Sequence, residues 1–189
     1  MNEADLPITS FQTFYVSKEE TNCPLISEIV RTGKKFKEKE LVHDLISISM
    51  SLKYGRRMLI NAKNTNLGEI KRHDLLEIAD YDPIKKVILT MGRKEPRSES
   101  SIHWLIHHAR NDVNAIIQIN DAALIEKLIG KIPETEKEYP NGTLEQAKEV
   151  LKILRESRKV IIKNQGLLFV GNNAEDVEKN TIETLEEIK

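Results

Sequence analysis

The stretch Ser98-Glu99-Ser100-Ser101-Ile102-His103-Trp104-Leu105-Ile106-His107-His108 gathers the densest set of chemically useful side chains in the sequence. On a helix, Glu99, His103 and His107 fall at i, i+4 and i+8 and share one face. Two imidazoles and a carboxylate are donors for a divalent metal. Three positions over two turns nevertheless span about 12 Å at about 1.5 Å per residue, so at most two neighbours reach one ion. The alternative is that histidines on a helix flank simply pack and hydrogen-bond. No Gly-x-Ser-x-Gly elbow and no Walker-type glycine-rich loop occurs. Lys53, Arg56, Arg57, Arg93, Lys94 and Arg97 form local positive groups. These make either a solvated face or, near Arg97 at a helix start, an anion site.

The elements that must position these groups are legible as periodicity. Leu25, Ile26, Ile29 and Val30 predict a helix after Pro24, with Gly33 as its stop. Phe36 to Ile48 predicts a second helix or a helix running into a strand. Ser47 to Ile60 reads as short strands around a Tyr54-Gly55 turn, and residues 61–68 as a loop. His73-Asp74-Leu75-Leu76 reads as one helical turn, and Val87 to Met91 as a strand. A helix begins at Ser98 as its cap and ends near Asn111-Asp112. Val113 to Ile119 predicts a buried strand, and residues 121–130 a helix. Thr143 opens another helix with Leu144, Ala147, Val150, Leu151 and Leu154 inward. Two short strands follow at 160–162 and 167–170, then a final helix over 174–188. Such alternation predicts an α/β protein, a single domain whose central β-sheet is covered by helices.

Composition narrows the classes. The 189 residues carry 29 Lys+Arg against 30 Asp+Glu, a net charge of -1. A globally basic nucleic-acid binder is therefore not expected. Cys23 is the single cysteine, which excludes an intrachain disulfide framework and favours a reducing compartment. Residues 1–10 lack an apolar signal core, and no apolar run approaches the roughly 20 residues of a membrane span. A cytoplasmic protein without membrane partners is expected. Residues 1–24 read as an N-terminal arm, with Phe11, Phe14 and Tyr15 available to dock, and 25–189 as the folded domain.

From Pro96 onward the sequence resembles the class II aldolase/adducin family. The family shows Pro-Ser-Ser-Glu and a histidine four residues on; here Pro96-Arg97-Ser98-Glu99 is followed by His103. Arg110-Asn111-Asp112-Val113, Gly142-Thr143-Leu144-Glu145 and Val160-Ile161-Ile162-Lys163-Asn164-Gln165-Gly166 resemble three further motifs. Leu25 to Val42 is similar to the family's opening helix. The resemblance spans about residues 25–188 and implies a metal-dependent aldolase fold assembled as a cyclic homo-tetramer. It also implies Glu99 as the acid/base carboxylate. Departures are concentrated at the metal: the family's three zinc-binding histidines fall on Gln118, Asn120 and Gln165. Amide oxygens are weak, hard donors for zinc, so no metal cofactor is expected. The phosphate segments fall near residues 47–51, on 61–64, and on Arg97 and Ser98, which become the candidate substrate-binding pair. The expectation is a zinc-free or divergent member that binds a small phosphorylated or hydroxy-carbonyl ligand. The alternative is an active carbon–carbon lyase acting on a sugar phosphate, with another divalent metal or a shared site to which Asp121 contributes.

Overall fold

A computed structural model of the chain describes residues 11–189. Eight strands form one sheet in the order β1-β5-β4-β3-β2-β6-β8-β7. They are β1 (Gln12–Ser17), β2 (Ile48–Tyr54), β3 (Arg57–Asn61), β4 (Leu75–Asp82), β5 (Val87–Met91), β6 (Ala115–Ile119), β7 (Lys159–Ile162) and β8 (Gly166–Gly171). All neighbours are antiparallel except β1 and β5, which run parallel. Five helices lie on the sheet: α1 (Ile26–Lys39), α2 (Ser100–Ala109), α3 (Ala122–Leu128), α4 (Leu144–Ile153) and α5 (Ala174–Glu186). The expected helix-covered α/β sheet is therefore present. No helix among the described residues is long and apolar enough to cross a membrane.

Burial follows strand position. β2, β6 and β8 are buried along most of their length, because helices cover both their faces. On one face, Ile29 and Phe36 of α1 and Val177 and Leu185 of α5 pack on Ile48, Met50, Ile117 and Phe169. On the other, Ile102 and Ile106 of α2 and Ala147 and Val150 of α4 pack on Ile116, Leu168 and Val170. Trp104 continues this second layer over Met58, Ile60, Ile78 and Ile88. Each large apolar side chain so buried contributes about 2–3 kcal/mol against leaving it in water. The far edge at β7 is lined by the 131–142 loop, where Thr135 N donates to Ile161 O (3.0 Å) and Ile161 N to Pro133 O (2.9 Å).

Several expectations need correction. Gly33 does not stop α1. The helix runs through it to Lys39, because a side chain there has no room: a Cβ would stand 1.9 Å from Leu67 O. Glycine is chosen by that close approach, not by a turn. Residues 1–10 lie outside the described residues, but residues 12–17 of the expected arm form β1, hydrogen-bonded along β5. Phe11 is buried edge-on against Tyr81, and Tyr15 donates its hydroxyl to Lys94 O (3.2 Å), whereas Phe14 is exposed. The helical turn near His73 is confined to Arg72–Asp74, and Leu75-Leu76 open β4. Leu144, at the first position of α4, faces solvent. Thr143 caps that helix as expected, accepting from Gln146 N (3.2 Å).

Candidate functional site

α2 lays its sheet-facing side across β2 and β6. His103 and His107, one turn apart, are completely buried there. Between them rises Ser51 of β2, whose Oγ is 2.8 Å from His103 Nδ1 and 2.9 Å from His107 Nε2. The outer nitrogens are also engaged. His107 Nδ1 donates to Val113 O (3.0 Å), and His103 Nε2 lies 3.2 Å from Gln118 Oε1. The Gln118 amide is oriented by its own donation from Nε2 to Gln165 O (2.8 Å). Those acceptors place protons on His107 Nδ1 and His103 Nε2. The two inner nitrogens then share the single proton of Ser51.

The array continues to the end of β8. Gln165 donates from Nε2 to Tyr139 O (2.5 Å) and accepts from Gln146 Nε2. Gln146 in turn accepts from Gly142 N (2.8 Å). The chain from His107 to Gly142 thus stitches α2, β2, β6, the β7–β8 turn and α4 into one polar core. Burial holds both imidazoles neutral: desolvation above all pushes His103 down to about 3 and His107 down to about 4, with His107 and then Arg97 disfavouring a charge on His103, and Lys53 and then His108 disfavouring one on His107. The Gln118 bond and the Val113 bond oppose that shift only partly.

The predicted common face of Glu99, His103 and His107 exists, but not as a ligand set. Both histidines spend their nitrogens on Ser51, Gln118 and Val113. Among the described residues no group of three His, Cys, Asp or Glu side chains could hold a metal ion. Glu99 stands at the N-cap position of α2 without capping it, which corrects the expectation that Ser98 caps the helix. Ser98 Oγ instead donates to Glu99 Oε2 (3.0 Å).

Arg97 is buried rather than solvated, with 7% of its surface exposed. Its Nη2 donates to Ile46 O (2.8 Å) and Nη1 to Ala62 O (3.4 Å). Nε lies 3.7 Å from Glu99 Oε2 and has no hydrogen-bond partner, as is also true of the buried hydroxyls of Ser49 and Ser100. One guanidinium therefore ties together the start of β2, the loop after β3 and the N-terminus of α2. Asn61 reinforces the junction, its Oδ1 accepting from Met50 N (2.8 Å) and its Nδ2 donating to Ile48 O (3.0 Å).

Of the three amides at expected ligand positions, Gln118 and Gln165 are joined by a hydrogen bond. Asn120 is exposed at the end of β6, its backbone N donating to Ser47 O (3.1 Å). Asp121 caps α3, accepting from Leu124 N (3.1 Å). Sequence reading missed Ser51, Gln146 and the Tyr139 carbonyl. A signal for the first was available: serines 49 and 51 interrupt an otherwise apolar strand, Ile48-Ser49-Met50-Ser51-Leu52, where both faces are covered.

Comparison with known proteins is consistent along the chain. The family model described as Class II Aldolase and Adducin N-terminal domain matches residues 27–125. The L-fuculose phosphate aldolase of Methanocaldococcus jannaschii is 30% identical over 156 residues, covering 74% of this chain and 80% of that protein. An L-fuculose 1-phosphate aldolase structure superposes with a TM-score of 0.65 at 19% identity, covering 89% of this chain and 86% of the other. The L-fuculose-1-phosphate aldolase of Thermus thermophilus gives 0.64 at 18% identity, over 87% and 90%.

Proposed function

Because the chain belongs to the class II aldolase and adducin family, we propose that it keeps the family's fold and small-ligand seat while having given up zinc-dependent cleavage. Its ligand is a small phosphorylated or hydroxy-carbonyl compound. The observation that carries this reading is the saturation of Gln118: Oε1 faces His103 Nε2 and Nε2 is spent on Gln165 O. By resemblance, zinc would sit on Gln118, Asn120 and Gln165. Those residues do not fit it. Two of the three amides are committed to internal hydrogen bonds, and amide oxygen is a poor partner for zinc in any case. Second-sphere groups normally orient a metal ligand; here His103 orients an amide that has become part of the core.

Glu99 is the residue positioned to move a proton, with Ser98 donating to it and Arg97 close by. Arg97 and Ser98 are the proposed ligand-binding pair, Ser98 through its hydroxyl and Arg97 through the charge it holds beside Glu99. Without an electrophile to stabilise an enediolate, a carboxylate alone does not drive aldol cleavage. The second reading is an active sugar-phosphate lyase using a harder or shared metal. It is favoured by the name of the Methanocaldococcus relative and by the presence of Glu99.

Metal analysis and an aldol-cleavage assay on untagged protein separate the two. The expected result is far less than one zinc per chain and no cleavage of phosphorylated ketoses with any added divalent ion. Stoichiometric metal, with turnover abolished by Glu99→Gln, overturns the proposal. We further propose a homo-oligomer, tetrameric by family analogy and housed in the cytoplasm. It is supported by the apolar residues Phe14 and Val16, 48% and 61% exposed on the edge strand. Light scattering of the purified chain measures the state directly.

A further inference from the structure

The opposite end of α2, about 13 Å along the helix from Glu99 at about 1.5 Å per residue, carries a separate cluster. A cleft of about 430 Å3 opens between the β2–β3 turn, β4 and α2, lined by Arg56, Arg57, Ala79, Asp80, Trp104 and His108. A register shift between Ile78 and Asp80 breaks the pairing of β4 beside it, the kind of irregularity that re-aims side chains at functional places.

His108 is the key residue. Its Nδ1 lies 2.9 Å from Trp104 O and its Nε2 3.3 Å from Arg56 O. A carbonyl oxygen only accepts, so the ring reaches either carbonyl through an N–H. The ring stacks on Trp104 with centroids 3.8 Å apart, a surface that attracts cations. It also occupies the last turn of α2, where the helix dipole favours positive charge. Other charges surround it. From the turn comes Arg56, exposed and in no side-chain hydrogen bond or ion pair among the described residues. From β3 comes Arg57, which reaches Glu77 with one nitrogen (3.1 Å). β2 supplies Lys53, held on His107 O (2.9 Å). β4 supplies Asp80, whose Oδ1 accepts from Tyr81 N (2.9 Å). Within α2, His107 is buried and neutral. Two guanidinium groups thus line the cleft against one carboxylate, with the His108 ring beside them.

We propose that this cleft binds a compact dianionic oxyanion group, of the sulfate or phosphate-ester kind. Arg56 and Arg57 donate to it, and the stacked rings of His108 and Trp104 form its floor. The bound dianion offsets the mutual repulsion of the two guanidinium groups. The site shares no residue with the seat proposed above, and its failure leaves that reading untouched.

Sulfate, dianionic throughout, is the probe, with chloride at matched ionic strength as control. The indole N–H of Trp104, the single tryptophan, is followed by NMR in the full chain. The expected result is a saturable shift with sulfate but not chloride. Arg56→Ala, on an exposed turn that leaves the core intact, weakens binding at least about fivefold. A parallel titration with a sugar phosphate distinguishes an organic ester from an inorganic ion as the tighter occupant, and either upholds the site. Equal response to chloride, or unchanged affinity in Arg56→Ala, overturns it.

Discussion

Ser51 offers one proton to two imidazoles, and that scarcity shapes the chemistry of the buried array. A neutral pair of rings leaves one short contact unsatisfied, while a charged ring would sit unpaired in the core beside Arg97 and Lys53. Burial prevails, and its effect on stability has a definite sign. Both folded-state values lie below the ordinary 6.5 of histidine, at about 3 and about 4. The unfolded chain therefore binds protons first as pH falls. Stability is complete above about 6.5 and is lost progressively as pH drops toward 4, by several kcal/mol in all. Urea denaturation at a series of pH values checks this, and a flat profile between about pH 7 and about pH 5 contradicts it. The common face of Glu99, His103 and His107 was legible from spacing alone. Ser51 was marked by its place in an apolar strand, but its pairing with the histidines was not legible, because it lies 52 residues from His103 and arrives through sheet register. Arg97 was legible as a cation but not as a buried one, since its acceptors are backbone carbonyls that carry no sequence signature.

At the scale of elements, α1 shows how one absent atom sets a packing distance. Its Gly33 lets the helix lie on the carbonyl of Leu67, while Thr32 and Lys35 reach Glu178 of α5 at 2.7 Å and 2.5 Å. Gly33→Ala gains helix propensity but drives a methyl into backbone. The clash dominates, and the expected net loss is about 2–3 kcal/mol, read as a lower urea midpoint. A more stable variant would show that the approach relaxes cheaply. Periodicity misread this glycine because a helix stop and a close-contact glycine look identical along the chain. β4 was missed for a related reason. Leu75-Leu76 is buried on both faces and lacks the alternation that marks a half-exposed strand. Helix starts written in local chemistry, at Thr143 and Asp121, were read correctly, and both residues cap their helices. Ser98 was not, because its hydroxyl turns to Glu99 instead.

For the whole molecule, the alternation of strands and helices announced a covered sheet, and motif order announced the family. Strand order and direction were not legible, because pairing joins segments far apart in sequence. β1 is the clearest case, polar enough to pass for an arm yet aligned with β5 over its length. Removing the chain through Ser17 bares the outer edge of β5, with Val87, Leu89 and Met91 half exposed. Unpaired apolar edges invite intermolecular pairing. The expected outcome is faster amide exchange across Val87–Met91 and time-dependent aggregation, and a truncated protein as stable and soluble as the full chain would contradict it. The parallel seating of β1 also bears on how the molecule is made. A ribosome delivers Gln12–Ser17 well before their partner: among the described residues their neighbour in the sheet is β5, which is not available until Val87–Met91 has emerged. β1 therefore waits for four later strands, and this margin of the sheet closes only across a long intervening stretch of chain.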